Sequence, residues 1–164
     1  MIVVADTSPL NYLILLGYVD LLRGIYGRVL VPDAVLIEMQ HADAPDAVSA
    51  WASAPPAWIE QVCVTRIDPT LAKELGAGER EAISLAMEVR ADILLIDERA
   101  GRQEAEARHI EVAGTLAVLL QASLGGHFEF PSALKNLRQL GFRVSSNVES
   151  VMLARYRKEK EGQR

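Results

Sequence analysis

Two apolar runs in this chain end in an aspartate: Ile2-Val3-Val4-Ala5-Asp6 at the amino terminus and Ile93-Leu94-Leu95-Ile96-Asp97 further along. Continuous apolar runs of this length read as strands buried on both faces, and an acid at the last position is costly unless the strand end opens onto a site. In an open parallel sheet the carboxyl ends of the strands share one edge, where ligands gather. Asp6 and Asp97 are therefore expected to face one crevice although about ninety residues separate them. Such a pairing points to a metal-carboxylate site.

The rest of the chain alternates in the same sense. After strand 2–6, Ser8 is placed to cap and Pro9 to open a helix through about Leu22. Val29–Val31 is a short strand, and Pro32-Asp33 opens a helix to about Gln40. Trp58–Val64 is a third strand, less evenly patterned and so suited to an edge. Leu71–Leu75 reads as a helical turn or two, ahead of a helix over 79–90. Strand 92–97, helix 100–108, strand 110–113 and helix 115–124 complete an α/β fold, a Rossmann-like parallel sheet flanked by helices.

The last forty residues change character. Pro131–Leu140 is a helix closed by Gly141, and Ser146-Asn147-Val148-Glu149 fits a capping box opening a final helix to about Arg157. The expected division is a domain over 1–126 and a helical extension over 127–164, packed on the domain or on a partner.

Composition narrows the class. With 164 residues, half of them hydrophobic, the chain can bury a core without disulfides. Its single cysteine, Cys63, sits in an apolar stretch and reads as a small buried hydrophobe, which fits a reducing cytoplasm. No apolar run approaches the roughly 20 residues of a membrane span. Net charge is −5, yet residues 155–164 carry five Lys/Arg against two Glu, leaving the remainder at −8. That basic end reads as a frayed, solvated helix terminus.

Helical phase tests two further acids. In helix 79–90 the stripe Ala82, Ile83, Ala86 places Glu79 inward and Glu81, Ser84 and Glu88 on the opposite side. A first-turn glutamate gains about 0.3–1 kcal/mol from the helix dipole, but that gain does not require a core-facing position. Glu38 shares the stripe Val35, Met39, Ala42. Since helix starts lie near the carboxyl edge of the preceding strands, Glu38 and Glu79 can reach Asp6 and Asp97.

Four carboxylates without cysteines or paired histidines suit Mg2+ or Mn2+ rather than zinc. His41, His109 and His127 are isolated and lack ligand spacing. Phosphodiester cleavage is the chemistry that needs such a site. Thr7, Ser8 and Thr115 stand near the same edge, with capping as their simpler role, and Arg99 and Arg102 open the helix after Asp97, where they could bind substrate phosphates or merely face solvent.

Asp6-Thr7-Ser8-Pro9-Leu10, Val31-Pro32-Asp33-Ala34-Val35 leading to Glu38, Gly76-Ala77-Gly78-Glu79-Arg80-Glu81-Ala82, Leu95-Ile96-Asp97-Glu98-Arg99 and Val112-Ala113-Gly114-Thr115-Leu116 together resemble the PIN domain. The resemblance implies a Rossmann-like nuclease fold, a divalent-metal site and RNA as substrate. Carried over by position, its acidic quartet is Asp6, Glu38, Glu79 and Asp97, with a glutamate at the third place where PIN toxins often have aspartate. It further implies the toxin of a toxin–antitoxin pair, dimeric and inhibited by a small antitoxin protein; the helices beyond the sheet and the short basic end of this chain make residues 127–164 the expected dimer or inhibitor contact.

Other classes fit less well. A receiver domain needs a lysine after its last strand, and none occurs between Lys73 and Lys135, an absence that also counts against haloacid-dehalogenase-like phosphatases and P-loop enzymes. Glu81 stands where a dinucleotide fingerprint beginning at Gly76 would place its third glycine. The competing reading is a catalytically inactive PIN-like module that binds RNA or protein. An aromatic content of 5% argues against a base-stacking platform.

Overall fold

The apolar runs form the strands of one five-stranded, all-parallel sheet flanked by helices. The computed structural model describes residues 1–164, which form two compact units, 1–115 and 116–164. In the first unit β1 (Val3–Ala5) is fully buried and leads into α1 (Thr7–Leu16). Expected to run to about Leu22, this helix stops at Gly17, whose φ of 79° lets the chain close the last turn in the left-handed region. A separate α2 (Leu21–Tyr26) follows, then β2 (Val29–Pro32), α3 (Asp33–Met39), α4 (Asp46–Ser53) and β3 (Ile59–Val62). After an irregular stretch come α5 (Ala77–Glu88), β4 (Ile93–Leu95), α6 (Arg99–Ala107) and β5 (Val112–Ala113).

The strand order is β3-β2-β1-β4-β5. The chain winds outward from β1 through β2 to β3, then returns to the other side of β1 for β4 and β5. The winding therefore reverses between β1 and β4, the topological switch point at which open α/β sheets bind ligands. Val3, Val4 and Ala5 pair with Ile93, Leu94 and Leu95, so the aspartates that follow both strands emerge side by side.

One face of the sheet, carrying Val4, Leu30, Leu94 and Val112, packs with Ala82, Ile83, Leu85 and Ala86 of α5 and Ala105 of α6. Val3, Ala5, Val29, Val31 and Leu95 of the opposite face are buried as well, which accounts for the absence of polar alternation along these strands. β3 lies at the edge, as its patterning suggested. Just beyond it Cys63 is exposed rather than buried, and the charge of Asp33 together with its hydrogen bond pushes the thiol pKa up.

Residues 71–75 form turns rather than a helix, yet Leu71 and Leu75 are buried and anchor the irregular stretch on α5 and α6. Arg108 fastens the same stretch. Its Nε donates to Asp68 at 2.9 Å and its Nη2 to the Thr70 hydroxyl at 2.9 Å, while Nη1 reaches Glu104. Hydrogen bonds from the Thr70 hydroxyl and from Arg108 lower the Asp68 pKa from 3.8 to about 2. A lowered carboxylate pKa stabilises the fold above the unfolded value and loses that contribution as pH falls toward the folded value. Arg108→Ala is therefore expected to lower the melting temperature near neutral pH, and the difference from the parent chain narrows as pH falls from about 4 to about 2 in thermal melts.

The second unit holds α7 (Thr115–Leu124) beyond its first residue, α8 (Phe130–Gln139) and α9 (Ser146–Gly162). α9 starts one residue earlier than the expected capping box. Ser145, not Ser146, accepts from the Val148 N–H at 3.2 Å, and Glu149 pairs with Arg138 instead of reaching back. Nor does the basic end fray after Arg157. Lys160 donates to both Glu129 oxygens at 2.7 Å, Tyr156 hydrogen-bonds Glu129, and the Tyr156 and Phe130 rings lie 5.8 Å apart, so the helix continues to Gly162. No helix of the chain is long and apolar enough to cross a membrane.

Candidate active site

Asp6 ends β1 and precedes α1. It is 2% exposed, and its Oδ1 atom has no hydrogen-bond partner. Burial raises its pKa from 3.8 to about 7, a backbone bond from Thr7 opposes this, and the charges of Glu79, Glu38 and Asp97 add to the rise. Three carboxylates from α3, α5 and the end of β4 are thus close enough to Asp6 to repel it.

Asp97 and Glu38 are each held by the starts of neighbouring helices. Asp97 accepts from the Thr115 N–H at 2.7 Å through Oδ1, and through Oδ2 from the Thr115 and Ser8 hydroxyls at 2.7 and 2.9 Å. Gly114 is required beside it, because a Cβ there would lie 2.8 Å from Asp97 Oδ1. Glu38 accepts from the Thr7 hydroxyl at 2.7 Å and from the Gly78 N–H at 2.8 Å. Gly78 makes that approach possible, since a Cβ would come 2.7 Å from Glu38 Oε2. Glu79 is half-buried, and its pKa rises through burial, then through the charges of Glu98 and Glu38.

The hydroxyls have a different role from the capping expected of Ser8. No side chain caps α1, and Ser8 instead bridges to Asp97 while Thr7 bridges to Glu38. One turn of α1 therefore ties two acids that lie far apart in the sequence. Thr115 holds Asp97 from the start of α7. Arg102 donates to the Ile96 carbonyl at 3.2 Å, whereas Arg99 is exposed at the start of α6. His41, His109 and His127 are exposed, and His41 lies 3.5 Å from Asp43.

The side of α5 opposite the stripe that carries Glu79 is covered in its first turns and exposed at Glu88. Glu81 accepts from the Ala34 N–H at 2.8 Å at the start of α3, and Ser84 is buried and accepts from the Asp68 N–H at 3.0 Å. Helical phase separated the two sides of α5 but could not show that α3 and the stretch at Asp68 cover the start of the second one. Glu81 thereby supports α3, the helix that carries Glu38.

Three nearby residues escaped the sequence reading. Glu98, immediately after Asp97, is close enough to raise both Glu79 and Tyr12. Burial and the Asp97 charge also raise Tyr12, placing its ring near the same acids. Asn11, one turn beyond Thr7 and Ser8, has a buried Oδ1 without a partner. The signals were present, an acid doublet and the i+3 and i+4 spacing from Ser8 and Thr7, but neither marks a site until the strands are paired.

A divalent cation fits this set in donor chemistry. All four acids offer hard oxygen ligands, and the buried Oδ1 of Asp6 lacks any other partner. The side chains stand apart from a closed coordination shell: no three of them form a metal-holding group, since Glu38 and Asp97 are bonded to hydroxyls and backbone N–H groups.

A family model described as a PIN domain matches residues 2–158 of the chain. No curated protein and no solved structure matches it.

Proposed function

The chain belongs to the PIN-domain family, whose members are generally nucleases, and from that premise we propose that it is a divalent-metal-dependent ribonuclease acting in the cytoplasm. The observation that carries this reading is the unpartnered, buried carboxylate oxygen of Asp6 with three more acids close by. A buried anion among anions is unfavourable by itself, and a cation is the group that would relieve it.

Asp6, Glu38, Glu79 and Asp97 would hold Mg2+ or Mn2+. Bound there, the cation would polarise the phosphoryl group and stabilise charge on the leaving oxygen. The protein's own residues supply position. Thr115 and Ser8 orient Asp97 through both of its oxygens, Thr7 and Gly78 orient Glu38, and burial holds Asp6 in one place. We propose Arg99 and Arg102 as contacts to substrate phosphates, with Arg102 steadied by the Ile96 carbonyl.

As a toxin, such a nuclease would be restrained by a small antitoxin protein and would act as a homodimer. The competing reading, an inactive PIN module that binds RNA or protein, draws on the absence of three side chains already in coordinating arrangement. Cleavage separates the two. Full-length protein incubated with single-stranded RNA is expected to cut it in Mg2+ or Mn2+, with no cutting after chelation and recovery when metal is restored. RNA left intact under every metal condition, by protein free of any copurifying inhibitor, would favour the inactive module.

A further inference from the structure

Charge is segregated between the two units. Residues 116–164 carry eight Lys/Arg against four Asp/Glu, a net of +4, which leaves residues 1–115 at −9. Ion pairing sharpens the contrast. In the second unit Glu149, Glu159 and Glu129 are taken by Arg138, Arg155 and Lys160. Glu161 is the one acid of that unit outside these pairs, while Lys135, Arg143, Arg157, Lys158 and Arg164 make no ion pair.

Three of the five unpaired cations lie within eight residues at the end of α9. The bonds from Lys160 and Tyr156 to Glu129 anchor the end of α9, so Arg157 and Lys158 project from a fixed helix and Arg164 stands just beyond it. Arg157 and Arg164 line one cleft of about 170 Å3 with Tyr156, Lys160 and Glu161. Arg157 stands in the last turns of α9 and Arg164 two residues past its end, so the two arginines flank the helix terminus and can engage more than one phosphate of a single strand.

We propose that the carboxyl-terminal half of α9 is an RNA-docking surface that binds substrate phosphates through Arg157, Lys158 and Arg164. The inference rests on the ribonuclease reading. The net charge of −9 on the first unit opposes a polyanion and leaves Arg99 and Arg102 as its proposed phosphate contacts, so further binding energy has to come from cations elsewhere in the chain, and these three are among those not neutralised by partners. The single aromatic ring in the cleft, Tyr156, is 5% exposed, which removes base stacking from the interaction. Binding is electrostatic and indifferent to base identity.

The test is fluorescence anisotropy with a labelled single-stranded RNA and the full chain in EDTA, comparing the parent with a triple variant carrying Arg157→Gln, Lys158→Gln and Arg164→Gln. Loss of three phosphate contacts is expected to weaken binding at least tenfold at low salt and to make the log K against log salt slope shallower by about 2. A second triple variant with Arg157→Lys, Lys158→Arg and Arg164→Lys keeps the charge and is expected to keep the affinity. Both should melt like the parent. In Mn2+ the glutamine variant should raise KM for RNA and leave kcat unchanged. Equal affinity and slope in parent and glutamine variant would overturn the proposal, as would a parent that does not bind RNA. So would a variant that loses a polyglutamate peptide but not RNA, because the surface would then serve an acidic protein. Reduced RNA binding in a chain that never cleaves leaves the docking surface standing and removes the nuclease reading instead.

Discussion

Asp6→Asn is expected to make the metal-free protein more stable at about pH 8 while abolishing its activity. The carboxyl of Asp6 is buried and its pKa is raised from 3.8 to about 7. For an acid raised on folding, the folded state holds the proton more tightly, so stability declines as pH climbs from the unfolded value to the folded one. Below about pH 4 the penalty is absent; above about pH 7 it is complete. A displacement of this size corresponds to a cost on the order of 4 kcal/mol as an upper bound. Asparagine has nearly the same shape and no charge, so the variant escapes the cost. Denaturant melts in EDTA should show the parent losing stability between about pH 4 and 7 and the variant staying nearly flat. Added Mn2+ should stabilise the parent and leave the variant unmoved. Parallel pH profiles for the two proteins would mean that Asp6 is not the strained group.

The second large effect is at Asp97. Asp97→Asn is expected to reduce RNA cleavage by about a thousandfold, since several kcal/mol of charge stabilisation depends on a held cation and each factor of ten corresponds to about 1.4 kcal/mol. Folding should survive. The asparagine oxygen can still accept from the Thr115 N–H, and the hydroxyls of Thr115 and Ser8, which now donate to Asp97, can turn to accept from its amide. Single-turnover cleavage assays and circular dichroism on the same preparation would separate loss of chemistry from loss of structure.

The adjacency of Asp6 and Asp97 was legible because strands buried on both faces leave a continuous apolar signature, and an acid at the end of such a run has few structural uses. The parallel α/β arrangement followed from the same runs. What stayed hidden depends on contacts distant in sequence. Gly17 ended α1 through a left-handed residue inside a pattern that otherwise continued as helix. Ser8 had the position of a cap, but the Asp97 carboxylate beyond the neighbouring strand β4 claims its hydroxyl. The support Glu81 gives to α3 stayed hidden because helical phase places it opposite Glu79 without showing what covers that side of α5. Cys63 was misjudged because an apolar stretch at a sheet edge still turns alternate side chains outward. Glu98 was passed over beside Asp97, and only the packing of α5 against α6 brings it toward Glu79.

Whether the four acids jointly hold the cation that cleavage requires can be measured directly. Mn2+ would be titrated into metal-stripped full-length protein by electron paramagnetic resonance, alongside Asp6→Asn, Glu38→Gln, Glu79→Gln and Asp97→Asn, with RNA cleavage followed on the same samples. The expected result is Mn2+ binding by the parent, weakened in each variant, with cleavage rising in proportion to occupancy. Undiminished Mn2+ binding in all four variants, or RNA cleavage by the parent with no metal bound, would contradict it.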